Sequence, residues 1–107
     1  MNLSEFQAFF IKHQENYKID ENNRLALMTL GLAGECGEVI ELVKKDIRDG
    51  VVDKKKVAEE LGDVMAYLAI VAEYYGYDLD EIAQMVITKN VRRVLKGTLQ
   101  TSGENRD

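Results

Sequence analysis

Apolar positions along the chain recur every three or four residues, which points to helices throughout. The first helix spans about Ser4 to Tyr17, with Phe6, Phe9, Phe10, His13 and Tyr17 on one stripe. Ser4 and Gln7 have the spacing of a capping box at its start. A polar stretch, Lys18 to Asn23, then breaks the period. The second helix runs from about Asn23 to Asp49 and stops at Gly50; its core stripe is Leu25, Leu32, Cys36, Val39, Ile40, Val43 and Ile47. The third starts with Asp53 as N-cap and ends before Gly76, with a stripe of Val57, Leu61, Val64, Leu68, Val71 and Tyr75. The fourth opens with Asp78, has Glu81 three residues later and ends near Gly97; Leu79, Ile82, Ala83, Val86 and Val94 face inward. The links at 50–52 and 76–77 are short, so neighbouring helices run antiparallel. The tail, 97–107, is polar and aperiodic. One domain over residues 1–107 is expected.

Composition narrows the function classes. The chain has no proline, as long uninterrupted helices require. Its 14 basic residues against 19 acidic ones leave a net charge of −5, the wrong sign for binding a nucleic-acid polymer. One cysteine, Cys36, excludes an intrachain disulfide framework and a multi-cysteine zinc site. The longest apolar run, Val64 to Ala72, falls well short of the roughly 20 residues that cross a bilayer. No basic-then-apolar leader opens the chain, so a reduced, cytoplasmic setting without membrane attachment is expected.

The candidate chemistry lies in four acids. Glu35 and Glu38 stand three apart on the second helix, and Glu60 and Asp63 three apart on the third. A three-residue step keeps side chains about 60° apart on one helix face. Glu35 and Glu38 share a flank with Leu27, Met28 and Leu42; Glu60 and Asp63 share theirs with Tyr67, Ile70 and Tyr74. Acids mixed with bulky apolar side chains mark a second, half-buried contact surface rather than a solvated face. Glu41 and Glu59 fall on the far side of their helices and serve as solvent-facing controls. If the two helices pack side by side, the acids converge. Two unit charges about 6 Å apart repel by roughly 3 kcal/mol at an effective dielectric near 20. Six such pairs total on the order of 10–15 kcal/mol, comparable to the stability of a small domain. Convergence therefore demands protons or a cation, and an all-carboxylate donor set suits a hard ion, Mg²⁺ or Mn²⁺. Acidic pairs alone are common on helix surfaces; two pairs on adjacent helices, each beside a core stripe, are not.

Other positions add to the picture. Gly31, Gly34 and Gly37 recur inside the second helix, each at a cost of about 1 kcal/mol relative to alanine, which suggests close approach by a backbone or a ligand. Lys89, Arg93 and Lys96 share a flank of the fourth helix. Cations at a helix end also favour the helix dipole, but a cationic row near an acidic metal cluster suits a polyphosphate. Asn90 falls on the inward stripe of that helix, as a satisfied core amide or a ligand contact. His13 reads as a packed or interface residue and Cys36 as a small buried hydrophobe.

The segments GLAGECGEVIELVKK (31–45) and EELGDVMAYLAIVA (59–72) resemble the MazG-like nucleotide pyrophosphohydrolases, whose signature is ExxE, a spacer, then ExxD. The opening LSEFQ and the closing KGTLQTSGENR resemble the short, single-domain phage and bacterial members. The resemblance implies an all-α, four-helix fold assembling into dimers or tetramers, with Mg²⁺ held by Glu35, Glu38, Glu60 and Asp63. It further implies hydrolysis of a nucleoside triphosphate between the α and β phosphates, giving the monophosphate and pyrophosphate. Glu35 or Glu38 is the expected general base. Candidate substrate contacts are Lys89, Arg93, Asn90 and Tyr67, together with Asn105 and Arg106 from a tail able to close over the site, where Ser102 and Gly103 also match the family. The family pattern usually has asparagine where this chain has Val86, and aromatic residues where it has Ala66 and Leu27. These departures bear on base recognition and leave the metal ligands intact. The alternative is a non-catalytic helical interaction module. A carboxylate-bridged di-iron bundle wants ExxH motifs, and the chain has none.

Overall fold

The computed structural model describes residues 1–97. Four helices follow one another, α1 (Leu3–His13), α2 (Glu21–Asp49), α3 (Lys54–Tyr74) and α4 (Leu79–Lys96), with a short 3-10 turn, Gln14–Asn16, after α1. The described residues contain no strand, so the fold is all-α as the periodicity requires.

The helix starts follow from local chemistry. Asp20, Asp53 and Asp78 each accept a hydrogen bond from a first-turn backbone N–H of the helix that follows. Asp78 and Glu81 complete a reciprocal capping box at α4. Gly50 ends α2 and Gly97 ends α4, both in the left-handed region (φ 70° and 69°) that carries little steric cost only for glycine.

The start of α1 differs from expectation. Asn2 is the N-cap, its Oδ1 accepting from Glu5 N at 2.8 Å. Ser4 and Gln7 therefore lie inside the helix and form no capping box. The Ser4 hydroxyl donates to the Asp78 carboxylate at 2.8 Å. Gln7 is buried and joins three segments. Its Nε2 donates to the carbonyls of Ala69 and Tyr77, both at 3.0 Å, and its Oε1 accepts from Leu79 N at 2.9 Å. One side chain thus satisfies the backbone groups of the bend between α3 and α4.

Helices α2 and α3 form an antiparallel hairpin in which Gly31 lies opposite Tyr67 and Glu35 opposite Glu60 and Asp63. Helix α1 packs on α3, and the start of α4 packs on α1. A small core of Ala69, Ala72 and Leu79 is closed by Leu3, Phe6 and Ile82.

The hairpin inverts the expected roles of the two helix flanks. Met28, Glu60 and Ile70, assigned by the sequence to the acidic flanks, are buried. Ile40, Val43 and Ile47 of α2 and Leu61 and Leu68 of α3, assigned to the core stripes, are exposed. Cys36 is half-buried rather than enclosed. The single chain packs its acid-bearing flanks together and leaves the apolar stripes uncovered. Its radius of gyration, 16.7 Å, exceeds the roughly 13 Å of a compact domain of this length. Among the described residues no helix is long and apolar enough to cross a membrane.

Candidate functional site

Pairing α2 with α3 brings three of the four expected acids together. One carboxylate oxygen from each of Glu35, Glu60 and Asp63 lies within 4.8 Å of the other two. Glu38 is exposed and stands outside this group, though its charge still acts on Glu35. The controls behave as the helix geometry dictates. Glu59 and Glu41 face solvent, and Glu59 does so although it directly precedes buried Glu60.

Crowding sets the protonation. Glu35 is pushed above the ordinary carboxyl range, first by its hydrogen bond with Glu60, then by burial and the charges of Asp63, Glu60 and Glu38. Glu60 is held below that range, first by Lys56, then by Glu35. Lys56 Nζ lies 3.0 Å from Glu60 Oε1. Protonation is thus favoured on Glu35 over Glu60, and Lys56 offsets the charge on Glu60. Lys56 relieves part of the crowding among the three acids, and a divalent ion would relieve more. Carboxylates from two rigid helices, with no histidine or thiol among them, form the donor set of a hard cation.

The acids open onto a cleft of about 230 Å³. Glu35 and Asp63 line one part of it; Phe10, His13, Gln14 and Tyr17 line the α1 side, and Ala66, Tyr67 and Ile70 the α3 side. The rings of Phe10, His13 and Tyr17 follow one another with centroids 5.9 and 5.7 Å apart. Tyr67 holds its proton more tightly than a free phenol, first because of burial, then because of nearby Tyr17, Glu35 and Asp63.

The tyrosine ring explains one of the three glycines. A Cβ at Gly31 would lie 2.7 Å from Tyr67 Cζ, closer than atoms pack, so the ring lies flat on bare α2 backbone. Gly34 and Gly37 have nothing comparable opposite them in this chain.

Helix α4 contributes nothing to the cleft wall. Lys89 and Arg93 lie on α4 and are absent from the lining. Asn90 is half-buried, and its Nδ2 donates to the Val86 carbonyl one turn back, at 2.9 Å, so the amide serves its own helix. Ser102, Gly103, Asn105 and Arg106 lie outside the described residues.

Two residues escaped the sequence reading. Lys56 precedes Glu60 by one turn, an i, i+4 pairing visible in the sequence. Gln14 is buried beside the cleft. Its signal was heptad spacing from Gln7 with Phe10 between them, which puts both glutamines on the inner line of α1.

Comparison with known proteins identifies the family. The family model described as the MazG nucleotide pyrophosphohydrolase domain matches residues 23–97, which hold all four acids. The chain is 38% identical over 92 residues to the "Gene 37 protein" of Mycobacterium phage L5, an alignment covering 81% of each chain. No solved structure gives a significant match.

Proposed function

Since the chain belongs to the MazG nucleotide pyrophosphohydrolase family, we propose that it hydrolyses a nucleoside triphosphate at the α–β anhydride, releasing the nucleoside monophosphate and pyrophosphate. The observation that carries this reading is the convergence of Glu35, Glu60 and Asp63, two of which, Glu35 and Asp63, line an aromatic cleft.

Glu35, Glu60 and Asp63 would hold Mg²⁺, with Mn²⁺ as a substitute, and Glu38 extends the same acidic face. When bound, the ion supplies charge neutralisation at the phosphoryl oxygens. The protein's own residues do the rest. The α2–α3 hairpin fixes the carboxylates on rigid helices. Glu38, uncommitted to the tight group, accepts the proton of the attacking water as that water adds to phosphorus and the anhydride oxygen departs with pyrophosphate. The nucleoside lies toward Phe10, Tyr17 and Tyr67. Lys89 and Arg93, with Asn105 and Arg106 of the tail, meet the phosphates only if another copy or the closing tail brings them to the cleft.

That requirement favours assembly. The exposed Ile40, Val43 and Ile47 on α2 and Leu61 and Leu68 on α3 call for a cover, and a homodimer or homotetramer supplies it.

The test is a panel of nucleoside triphosphates incubated with Mg²⁺ and assayed for pyrophosphate. Pyrophosphate with equimolar monophosphate is expected, with Asp63→Asn slower by more than about a hundredfold. Orthophosphate would mean that another bond is cut. No turnover of any triphosphate by folded, metal-bound protein would leave the non-catalytic interaction module.

A further inference from the structure

The aromatic end of the cleft contains a buried polar group that the reaction does not use. Gln14 is 8% exposed, and its Oε1 is fully enclosed with no hydrogen-bond donor in reach. A buried acceptor without a partner is costly and uncommon in folded chains. The other buried glutamine of the same helix line, Gln7, shows the contrast, because both ends of its amide are satisfied by backbone.

Gln14 is also held independently of its side chain. Its backbone carbonyl accepts from Tyr17 N at 3.0 Å and from Arg24 Nη1 at 3.3 Å. The turn that carries it is therefore built whether or not the amide finds a partner. Around it, Phe10, Tyr17 and Tyr67 offer ring faces and edges, the surroundings a flat heterocycle needs.

We propose that Gln14 is a specificity-determining residue: its Oε1 accepts a hydrogen bond from the exocyclic amino group of a nucleobase held among Phe10, Tyr17 and Tyr67. The class selected is a base with an amino donor on its pairing edge, as in cytosine or adenine. With the amide oriented as the structure holds it, uracil and thymine present a carbonyl oxygen to the Gln14 oxygen, acceptor against acceptor. The inference rests on the proposed function, because the acidic end must take the phosphates for the base to reach Gln14.

Deoxycytidine and deoxyuridine monophosphates form a minimal pair, differing at this edge and matching in size. Their dissociation constants are to be measured calorimetrically with Mg²⁺ on the wild-type chain and on Gln14→Met. Wild type is expected to bind the cytosine nucleotide about tenfold more tightly, and Gln14→Met to lose that ratio. Equal binding by wild type would overturn the proposal. So would a preference that survives in Gln14→Met. The wild-type comparison decides the matter even if the variant fails to fold. Pyrophosphate release from the triphosphates is followed in parallel. Its absence alone would sink the hydrolase reading, whereas the binding ratio reads Gln14 directly.

Discussion

At the scale of single residues, the crowded acids shift one another's titration in opposite directions. Glu35 is pushed up by its neighbours, so between the ordinary carboxyl value and its own raised value the folded chain binds a proton that the unfolded chain has lost. That difference destabilises the metal-free protein as pH rises through the window. Glu60 has the opposite sign. Held down by Lys56, it contributes stability above the ordinary value that is lost as pH falls toward its lowered one. Melting curves across this range, without divalent ions, are expected to show a destabilising rise-of-pH component that Glu35→Gln removes; an unchanged profile in that variant would place the proton elsewhere. Gly31 is a second residue-scale test. Gly31→Ala gains helix propensity but drives a methyl group into Tyr67, so a net loss of about 1–3 kcal/mol is expected in urea unfolding, together with a raised KM from the displaced ring. Gly34→Ala meets nothing in this chain and is the control; equal effects at both positions would remove the steric account.

Among the elements, the four helices and most of their ends were legible because they follow from local rules, whereas the starts of α1 and α2 were misplaced. Asp53, Asp78 with Glu81, Gly50 and Gly97 act at their predicted ends because caps and stops depend on neighbours in sequence. The face each helix buries was less legible. Hydrophobic periodicity marks a stripe that will be covered, but not whether the cover comes from the same chain. Ile47, Leu61 and Leu68 read as core and are exposed here, while Met28 and Glu60 read as flank and are buried. Of the four acids singled out by spacing, Glu35, Glu60 and Asp63 come together while Glu38 stands apart, because a three-residue step still turns the second side chain about 60° around its helix. The placement of α4 was not, because its lysine and arginine positions depend on tertiary packing that no local signal encodes. Gln7 shows what local reading hides. Taken as a cap, it proves to be the bond between α1 and the α3–α4 bend. Gln7→Leu removes three hydrogen bonds to backbone, two of them buried, and is expected to cost about 2–3 kcal/mol of unfolding free energy. A loss below about 0.5 kcal/mol in denaturant melts would mean that water replaces the amide.

For the whole molecule, apolar side chains exposed on α2 and α3 and a radius of gyration above that of a compact domain are the observations behind the proposed assembly. Light scattering is expected to give a multiple of the 12.1 kDa chain mass. Ile47→Glu is expected to shift that mass toward the monomer, since a charge cannot be buried unpaired in an apolar contact; a wild-type monomer at micromolar concentration would contradict shared packing. The proposed metal site and catalysis would both depend on the α2–α3 hairpin, which brings three acids together. The most direct measurement is the melting temperature as MgCl₂ is added, compared with NaCl at equal ionic strength so that general screening cancels. Mg²⁺ at about a hundred times its dissociation constant contributes about 2.7 kcal/mol by linkage, so a rise of about 10 °C is predicted for wild type and little for Asp63→Asn. Identical curves in the two salts, or the same Mg²⁺-dependent rise in Asp63→Asn, would contradict the account.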